Sequence, residues 1–557
     1  MNSKRILMPL ALCGAAAGTA QAQQAQPNIV IILTDDLGFS DPGCYGGEIR
    51  TPNLDRLAAE GVRFTQMYNS ARSCPSRACL MTGLYPHQVG VGEMIGGPKK
   101  KLWPEGYSGF RDDNNLTIAE ALRTNGYYTA MAGKWHLGDK PTPVDRGFED
   151  FYGLLGGFTT FWEQSKYTRL PNPETVRIYP EDEYYSTDAI TDYAVEFAGK
   201  AKEQHKPLFL YLSYNAPHFP LHAPKERIDK YMDTYMKGWD AIRAEREQRL
   251  RKLGLLPEGQ QMGPRGEAPG SLFLKQPHAL PAWDSLTADQ QKDLARRMAI
   301  YAAMVDIMDE NIGRFLTALR ENGQLDNTLI IFMSDNGACA EWHEFGFDGH
   351  SGLKYHTHVG DELDGMGQKG TYHHYGTGWA NVCCAPFNLY KHFAHEGGIS
   401  TPSILWWGDK VKNKGSIDNQ PCHFTDIMTT CLAASGTKYP KKYEKRKLLP
   451  LKGVSILPIA EGKKIESRPI FAEHEGNRMV RVGDWKLVAS YYNGQKWELY
   501  NIAEDRTEQH DLAEKYPKKV AQMEKLYFEW ADQNNVLPYP QLMNQYAGRK
   551  LKIYNEK

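Results

Sequence analysis

Apolar residues in this chain form two repeating patterns that alternate along most of its length. Short uninterrupted runs rich in β-branched residues, such as NIVIILT at Asn28–Thr34, predict strands buried on both faces. Segments with apolar residues three and four positions apart predict helices, the longest over residues 288–321. The alternation predicts an α/β fold with a large, mostly parallel (mixed) sheet sandwiched by helices.

Two predicted helices have clear start signals. In TPNLDRLAAEG, Thr51 is a candidate capping residue, Pro52 suits the first helical position, and Gly61 ends the segment. A second helix is expected to begin at Thr117, because Glu120 three residues later completes a capping box.

The C-terminal part follows a different pattern. From about residue 466, four short apolar runs joined by turns precede a helical segment, which predicts a four-stranded antiparallel sheet plus one helix. We therefore expect a large domain over residues 27–465 and a smaller α+β domain over residues 466–557. We interpret two segments as surface insertions: a highly charged one at about 225–285 and a Gly- and His-rich one at about 340–381.

The N-terminus has the features of a secretory signal. A basic start, an apolar run too short to span a membrane, and small residues at Ala20 and Ala22 predict a cleaved signal peptide over residues 1–22. Cys13 offers a lipid anchor as an alternative, which bulky Leu12 before it disfavours. The expected location is periplasmic or secreted.

Composition narrows the function classes. The 557 residues carry a formal net charge of -1, so the chain lacks the basic excess typical of nucleic-acid binding. Beyond the signal, no apolar stretch is long enough to cross a membrane. Recognition of an anion would therefore depend on a local cluster of cations.

Polar residues follow several predicted strands. Asp35 and Asp36 come directly after one strand, and Asp335 and Asn336 follow another. Carboxylate and amide oxygens suit a hard divalent cation such as Ca²⁺ or Mg²⁺. Each pair alone is also common in ordinary turns, but ligands of α/β proteins bind beyond the carboxyl ends of the strands. Three further residues follow strands in the same way: Lys134, His136 and His218.

The most informative segment is SCPSRACLMTG, which begins at Ser73 and contains Arg77. Taken alone, its Ser and Pro residues also fit an ordinary turn that opens a helix. Together with ILTDDLG, GKWHLG, APHFP, MSDNG and KHFAHEGGISTP, in this order, the segment resembles the type I sulfatases of the alkaline phosphatase superfamily, especially bacterial arylsulfatases. The resemblance implies an alkaline-phosphatase-like fold and the hydrolysis of sulfate monoesters.

The resemblance also implies a metal and a modified nucleophile. Asp35, Asp36, Asp335 and Asn336 would hold one calcium ion, and Ser73, oxidised to formylglycine (3-oxoalanine), would complete its shell. A hydrated aldehyde offers two geminal hydroxyls, whereas a serine hydroxyl without a neighbouring base is a poor nucleophile. Because the modified position is Ser and not Cys, the implied partner is an anaerobic-type radical maturation enzyme.

The remaining roles are implied in the same way. Arg77 and Lys134 would orient and polarise the formylglycine. His218, assisted by Lys391, would protonate the departing alcohol. His136 would take the proton from the second geminal hydroxyl, which releases sulfate and restores the aldehyde. His474 and Glu475 in the C-terminal domain are expected as weaker candidates for substrate contacts.

The substrate is expected to be a sulfated small molecule or glycan, with preference for a terminal sulfated sugar. Two alternatives stay open: a formylglycine-dependent phosphonate monoester or phosphodiester hydrolase, and a catalytically silent glycan-binding homologue. The His-rich segment is interpreted as a loop that shapes the substrate pocket and not as a second metal site, since its histidines lack a regular ligand spacing. They are His350, His356, His358, His373 and His374.

Overall fold

A computed structural model describes residues 26–95, 104–268, 278–341, 343–349, 354–491, 493–538 and 540–541. The predicted signal peptide with Cys13 lies outside the described residues, as does His350. Within the described ranges, none of the helices combines the length and apolar character that a membrane crossing requires.

The predicted strands and helices occur in the predicted order, together with further strands and short helices between them. The strands are β1 Asn28–Thr34, β2 Val62–Tyr68, β3 Tyr128–Gly133, β4 Asp150–Gly153, β5 Thr168–Leu170, β6 Leu208–Ser213, β7 Glu267–Ala268, β8 His278–Ala279, β9 Thr328–Ser334, β10 Ser400–Trp406, β11 Ser416–Asp418, β12 Cys422–His423, β13 Lys442–Tyr443, β14 Arg446–Lys447, β15 Ile470–His474, β16 Asn477–Val482, β17 Trp485–Ala489 and β18 Glu498–Asn501. The helices are α1 Pro52–Glu60, α2 Ser73–Thr82, α3 Ile118–Arg123, α4 Ser186–Glu203, α5 Lys225–Asp229, α6 Met232–Tyr235, α7 Gly238–Lys252, α8 Ala288–Glu321, α9 Asp361–Gly365, α10 Gly376–Cys383, α11 Glu396–Ile399, α12 Thr425–Ser435 and α13 Pro517–Gln533.

One large mixed sheet organises the main part of the fold. Among the described residues it has the order β11-β2-β10-β9-β1-β6-β3-β4-β5, and β12 pairs with β2. The central strands β9, β1, β6 and β3 are parallel neighbours, whereas β10 runs antiparallel between β9 and β2. The predicted α/β class with a mostly parallel sheet is confirmed.

Side chains of β1 alternate between the two faces of the sheet. Val30 and Ile32 belong to the apolar core that also contains residues of α4 and α8. Ile29, Ile31 and Leu33 belong to the core on the opposite face, together with residues of α2, α3 and α12. Both faces are therefore covered by helices, which explains why β1 is apolar without interruption.

The two predicted helix starts differ in detail. At α3, the Thr117 hydroxyl accepts a hydrogen bond from the Glu120 backbone at 3.0 Å, and the Glu120 carboxylate accepts from the Thr117 backbone at 2.7 Å, so the capping box is confirmed. Helix α1 begins at Pro52 as expected, but Thr51 does not cap it. The Thr51 hydroxyl instead donates to the Asp55 carboxylate and accepts from the Gly43 backbone, which fixes the preceding loop.

The C-terminal strands β15, β16, β17 and β18 form the predicted antiparallel sheet in sequential order. Helix α13 covers one face, where Val480 and Leu487 pack against Tyr527. On the other face, Met479 and Val488 share a core with Tyr68 at the end of β2. The small sheet is thereby held against the edge of the main sheet where β2 ends.

The segments 225–285 and 340–381 contribute buried side chains to the main core. Trp239 of α7 and Trp379 of α10 are almost completely buried and lie edge to face, with ring centroids 5.8 Å apart. Arg246 of α7 is also buried, and its guanidinium binds the carboxylates of Asp41 and Glu48. These contacts connect α7 to the loop that follows β1.

Candidate active site

The candidate residues converge because they follow parallel strands that are neighbours in the sheet. The carboxyl ends of β9, β1, β6 and β3 lie at one edge, the usual position of ligand sites in α/β proteins. The candidates that follow these strands are Asp335 and Asn336 after β9, Asp35 and Asp36 after β1, His218 after β6, and Lys134 and His136 after β3.

Ser73 is the first residue of α2, and it is only 2% exposed. Its hydroxyl donates a hydrogen bond to Asp335 Oδ2 at 2.6 Å and accepts one from Arg77 Nε at 3.0 Å. The backbone N–H groups at a helix N-terminus carry partial positive charge and favour an anion there. A negatively charged oxygen on residue 73 would therefore be stabilised by the helix and by Arg77.

Arg77 is held rigidly on all sides of its guanidinium. Its Nη2 lies 2.8 Å from Asp335 Oδ2, and its Nη1 donates to the Lys134 carbonyl at 2.9 Å and to Ser213 Oγ at 2.5 Å. The side chain is completely buried. Because its planar group satisfies several partners at fixed angles, Arg77 sets the position of residue 73 relative to the carboxylates.

The carboxylate cluster has the composition of a site for a hard cation. Asp35, Asp36, Asp335 and Asn336 are at most 1% exposed. The Asn336 amide donates to Asp36 Oδ1 at 2.6 Å, while the buried Asn336 Oδ1 has no hydrogen-bond partner in the protein. An orphaned amide oxygen beside three carboxylates fits a calcium or magnesium ion, since these ions bind oxygen ligands. The donor set of the chain therefore fits the expected metal.

Cations of the chain balance the three carboxylates. Lys134 Nζ lies 2.5 Å from Asp35 Oδ2, and Lys391 Nζ lies 2.8 Å from Asp36 Oδ2. Burial raises the pKa of Asp35 to about 8, whereas Lys391 holds the pKa of Asp36 below its usual range despite burial. A bound divalent ion would favour the ionised form of all three carboxylates. Together with the charges of Arg77, Lys134 and Lys391, it would leave the site positive and attractive to a sulfate ester.

Two histidines face the centre of the cluster. His136 Nδ1 lies 3.3 Å from Ser73 Oγ, and the backbone of His136 has a φ of 52°, an unfavourable value for a non-glycine residue. His218 Nδ1 donates to the Phe219 carbonyl at 2.6 Å, so its Nε2 points to Asp36 Oδ2 at 3.5 Å. Burial lowers the pKa of His218 to about 3 and lowers that of His136 as well.

The C-terminal candidates lie beside this cluster and not within it. His474 is 1% exposed, and its Nε2 lies 3.7 Å from a carboxylate oxygen of Glu475. The Glu475 side chain is 14% exposed and lies 3.2 Å from His392 Nδ1. Since His392 follows Lys391 in the chain, Glu475 borders the site through this histidine.

Sequence reasoning missed several neighbours of Lys391. Glu341 lies 3.6 Å from Lys391 Nζ and 3.1 Å from the Arg72 guanidinium, and Arg72 also contacts His392 Nδ1 at 2.9 Å. Arg72 and His392 adjoin residues that were singled out, so their positions in the chain were a usable signal. Glu341 had no comparable signal, because only the tertiary fold brings it to Lys391.

The structure separates the histidines of the His-rich segment into different environments. His358 and His373 lie close to Asp348, within the span of a metal site. The guanidinium of Arg297 binds the same Asp348 carboxylate at 2.9 Å, however, and places a positive charge where a cation would have to bind. His374 instead stacks on Phe347.

A comparison with protein families decides the identity of this fold and site. The family model described as Sulfatase matches residues 27–437, which is more than half of the chain. The chain belongs to the sulfatase family. A second model, described as N-sulphoglucosamine sulphohydrolase, C-terminal, matches residues 387–533 of this sulfatase. The chain is therefore an arylsulfatase-like hydrolase of sulfate esters.

Individual relatives agree with the family. The sulfatase is 34% identical to the arylsulfatase of Klebsiella aerogenes, over 83% of this chain and 98% of the relative. It is 33% identical to an uncharacterized sulfatase of Schizosaccharomyces pombe, over 93% of this chain and 96% of the relative. It is 27% identical to the N-acetylglucosamine-6-O-sulfatase of Bacteroides thetaiotaomicron, over 95% of this chain and 90% of the relative.

Solved structures show the same architecture. The crystal structure of Ps i-CgsB in complex with k-i-k-neocarrahexaose superposes with a TM-score of 0.64 at 26% identity. The match covers 92% of this chain and 94% of that chain. The α/β fold with its small C-terminal sheet is thus shared over nearly the whole length.

Proposed function

We propose that this sulfatase cleaves sulfate monoesters with residue 73, converted from Ser73 to formylglycine, and with one calcium ion. The observation that carries the proposal is the position of Ser73 Oγ, 2.6 Å from Asp335 and 3.0 Å from Arg77 at the N-terminus of α2. When present, the hydrated aldehyde supplies the nucleophile and the divalent ion stabilises negative charge.

Residues of the chain would position the nucleophile and move protons. Arg77 and Lys134 hold residue 73 and Asp35 in place, and their charges favour an anionic oxygen. His136, with Nδ1 at 3.3 Å from Ser73 Oγ, is placed to take a proton from residue 73. We assign His218 the transfer of a proton to the departing alcohol through Nε2, which lies 3.5 Å from Asp36 Oδ2. Because Nδ1 keeps its proton for the Phe219 carbonyl, this step uses the doubly protonated ring, a form that an anionic ester bound beside it would favour.

Lys391 would support the leaving-group side. Its ammonium lies 2.8 Å from Asp36 Oδ2, the same oxygen that His218 Nε2 approaches at 3.5 Å. A sulfate oxygen bound beside Asp36 would therefore lie close to the Lys391 ammonium and the His218 imidazole. We propose that this pair stabilises charge as the S–O bond to the alcohol breaks.

The proposed substrate is a terminal sulfated sugar, with small aryl sulfates as further substrates. The relatives named above include an arylsulfatase and an N-acetylglucosamine-6-O-sulfatase. Apart from Glu475, the candidate residues are no more than 8% exposed, which favours a small terminal group that enters a deep pocket. The Arg72 and Glu475 side chains are slightly more exposed, at 13% and 14%, and are candidates for contacts to sugar hydroxyls at its entrance.

Kinetics on the matured protein test the proposal. The protein is coexpressed with an anaerobic-type formylglycine maturation enzyme, and sulfate release is measured from 4-nitrophenyl sulfate and from monosulfated sugars. Wild type should release sulfate, Ser73→Ala should not, and a matched aryl phosphate diester should be cleaved more slowly. Equal turnover by Ser73→Ala would refute the nucleophile, and faster cleavage of the diester would favour a phosphodiester hydrolase.

We further propose that the mature protein is periplasmic or secreted. The basic start, short apolar run and Ala20 and Ala22 of the sequence support a cleaved signal peptide. N-terminal sequencing of the protein from the native host tests this directly. A mature N-terminus near residue 23 is expected, and a retained Met1 in an intracellular fraction would contradict it.

A further inference from the structure

Phe158 is unusual among the large apolar side chains of the described residues because 41% of it is exposed. Its ring stacks on the imidazole of His218, with ring centroids 5.8 Å apart and planes 15° apart. Phe219 lies 5.1 Å away and Tyr372 6.3 Å away between ring centroids. A continuous aromatic surface thus extends from the proposed proton donor to the solvent.

This surface is one wall of a cavity of about 390 Å³. The size falls within the range of small-molecule sites, roughly 300–1,000 Å³. Two separate segments build the cavity, and most of their side chains can donate or accept hydrogen bonds. The lining residues are Phe158, Thr159, Thr160, Glu163, Lys166, Gly370, Thr371 and Tyr372.

The cavity lies where the alcohol part of a substrate would extend. His218 Nδ1 is engaged by the Phe219 carbonyl, so only Nε2 can deliver a proton to a departing oxygen. The carbon skeleton attached to this oxygen must lie on the His218 side of the site, and the exposed face of Phe158 is the adjoining surface. On its other side, His218 Nε2 faces the buried Asp36 of the carboxylate cluster.

We propose that this cavity binds the sugar ring of the sulfate ester and that Phe158 is a specificity-determining platform for its apolar face. Aromatic rings bind flat apolar surfaces, while a few polar groups fix orientation through hydrogen bonds. Thr159, Glu163 and Lys166 provide such groups for sugar hydroxyls. The inference rests on the proposed function, because it takes His218 as the group nearest the leaving oxygen.

A merely structural role for Phe158 makes a different prediction. If the Phe158 ring only holds His218 in place, loss of the ring should alter proton transfer for every ester. The KM for substrates that contain a sugar ring should then not rise more than the KM for other esters. Phe158→Leu separates the two roles, because leucine keeps an apolar contact with His218 but has no flat aromatic face. Phe158→Tyr keeps the face.

The test uses the matured enzyme and the best substrate from a panel of monosulfated hexoses and N-acetylhexosamines. For Phe158→Leu, we expect KM to rise about tenfold, the order of one aromatic stacking contact. The value of kcat, its pH profile and inhibition by inorganic sulfate should stay near those of wild type. Phe158→Tyr should resemble wild type, and so should Phe528→Leu, which changes a phenylalanine that is 47% exposed on α13.

The outcomes distinguish the platform from the underlying activity. An unchanged KM in Phe158→Leu, or a lower kcat with a shifted pH profile and no change in KM, would overturn the platform while the activity stands. Weaker inhibition by inorganic sulfate in Phe158→Leu would also overturn it, since Phe158 would then act on the sulfate pocket. No sulfate release by matured wild type from any ester would overturn both proposals.

Discussion

A methyl group added at Gly157 should displace the imidazole of His136 and slow turnover. A Cβ at this position would lie 2.7 Å from His136 Nε2 and 2.9 Å from Cε1, about 1 Å closer than normal contact between heavy atoms. The imidazole has little room to retreat, because its Nε2 lies 3.4 Å from Cys74 Sγ and its Nδ1 lies 3.3 Å from Ser73 Oγ.

The expected effect follows from the size of this displacement. A shift of about 1 Å in a group that must take a proton from residue 73 should lower kcat about 100-fold. This corresponds to about 2.7 kcal/mol in activation free energy. Neither Gly156 nor Gly157 has a left-handed φ, so backbone strain does not confuse the comparison.

Gly156→Ala is the matched control, since the nearest atom to its Cβ would be Leu154 Cδ1 at 4.0 Å. Steady-state kinetics on 4-nitrophenyl sulfate and thermal midpoints are measured for matured wild type and both variants. We expect a low kcat in Gly157→Ala alone, with similar midpoints in all three proteins. Equal kcat values in the two variants would contradict a displacement of His136, because the added methyl group would then have moved the loop instead.

Three further predictions concern the charged cluster. Lys391→Ala leaves the buried Asp36 carboxylate without the Lys391 ammonium, so turnover should fall about 100-fold. In chelated protein the free energy of unfolding should fall by about 3–5 kcal/mol. The loss of stability should be smaller when calcium is present. An equal loss with and without calcium, measured by urea unfolding, would argue against a metal at Asp36. Chelation of wild type should abolish turnover and added calcium should restore it, whereas full activity after verified removal of metal would exclude the ion. In Arg77→Lys, the lysine cannot reproduce the contacts of Arg77 to Ser73, Asp335 and Ser213. The kcat should therefore fall about 100-fold. Wild-type kinetics in this variant would contradict the positioning role of Arg77.

Much of the fold could be predicted because the relevant patterns are local. The apolar run that became β1 is buried on both faces, and its last residue directly precedes Asp35. Helix α8 spans Ala288–Glu321, the same residues that the apolar spacing predicted. Parallel strands place their carboxyl ends at one edge, so polar residues after several strands were expected to meet there.

Other features depend on contacts between distant parts of the chain. The sequence of β10 gives no sign that this strand runs antiparallel between β9 and β2. Glu341 meets Lys391 and Arg72 only after three segments have folded together. Phe158 has the sequence context of a loop residue, and its role depends on the position of His218 beside it.

In the proposed mechanism, residue 73 acts as an aldehyde made from Ser73. Trypsin should cut after Arg72 and Arg77 and release residues 73–77 as one peptide. Mass spectrometry of this peptide from the native host should show a species two hydrogen atoms lighter than the unmodified sequence, reactive with carbonyl reagents and proportional to sulfatase activity. An active enzyme in which this peptide carries only unmodified Ser73 would contradict the account.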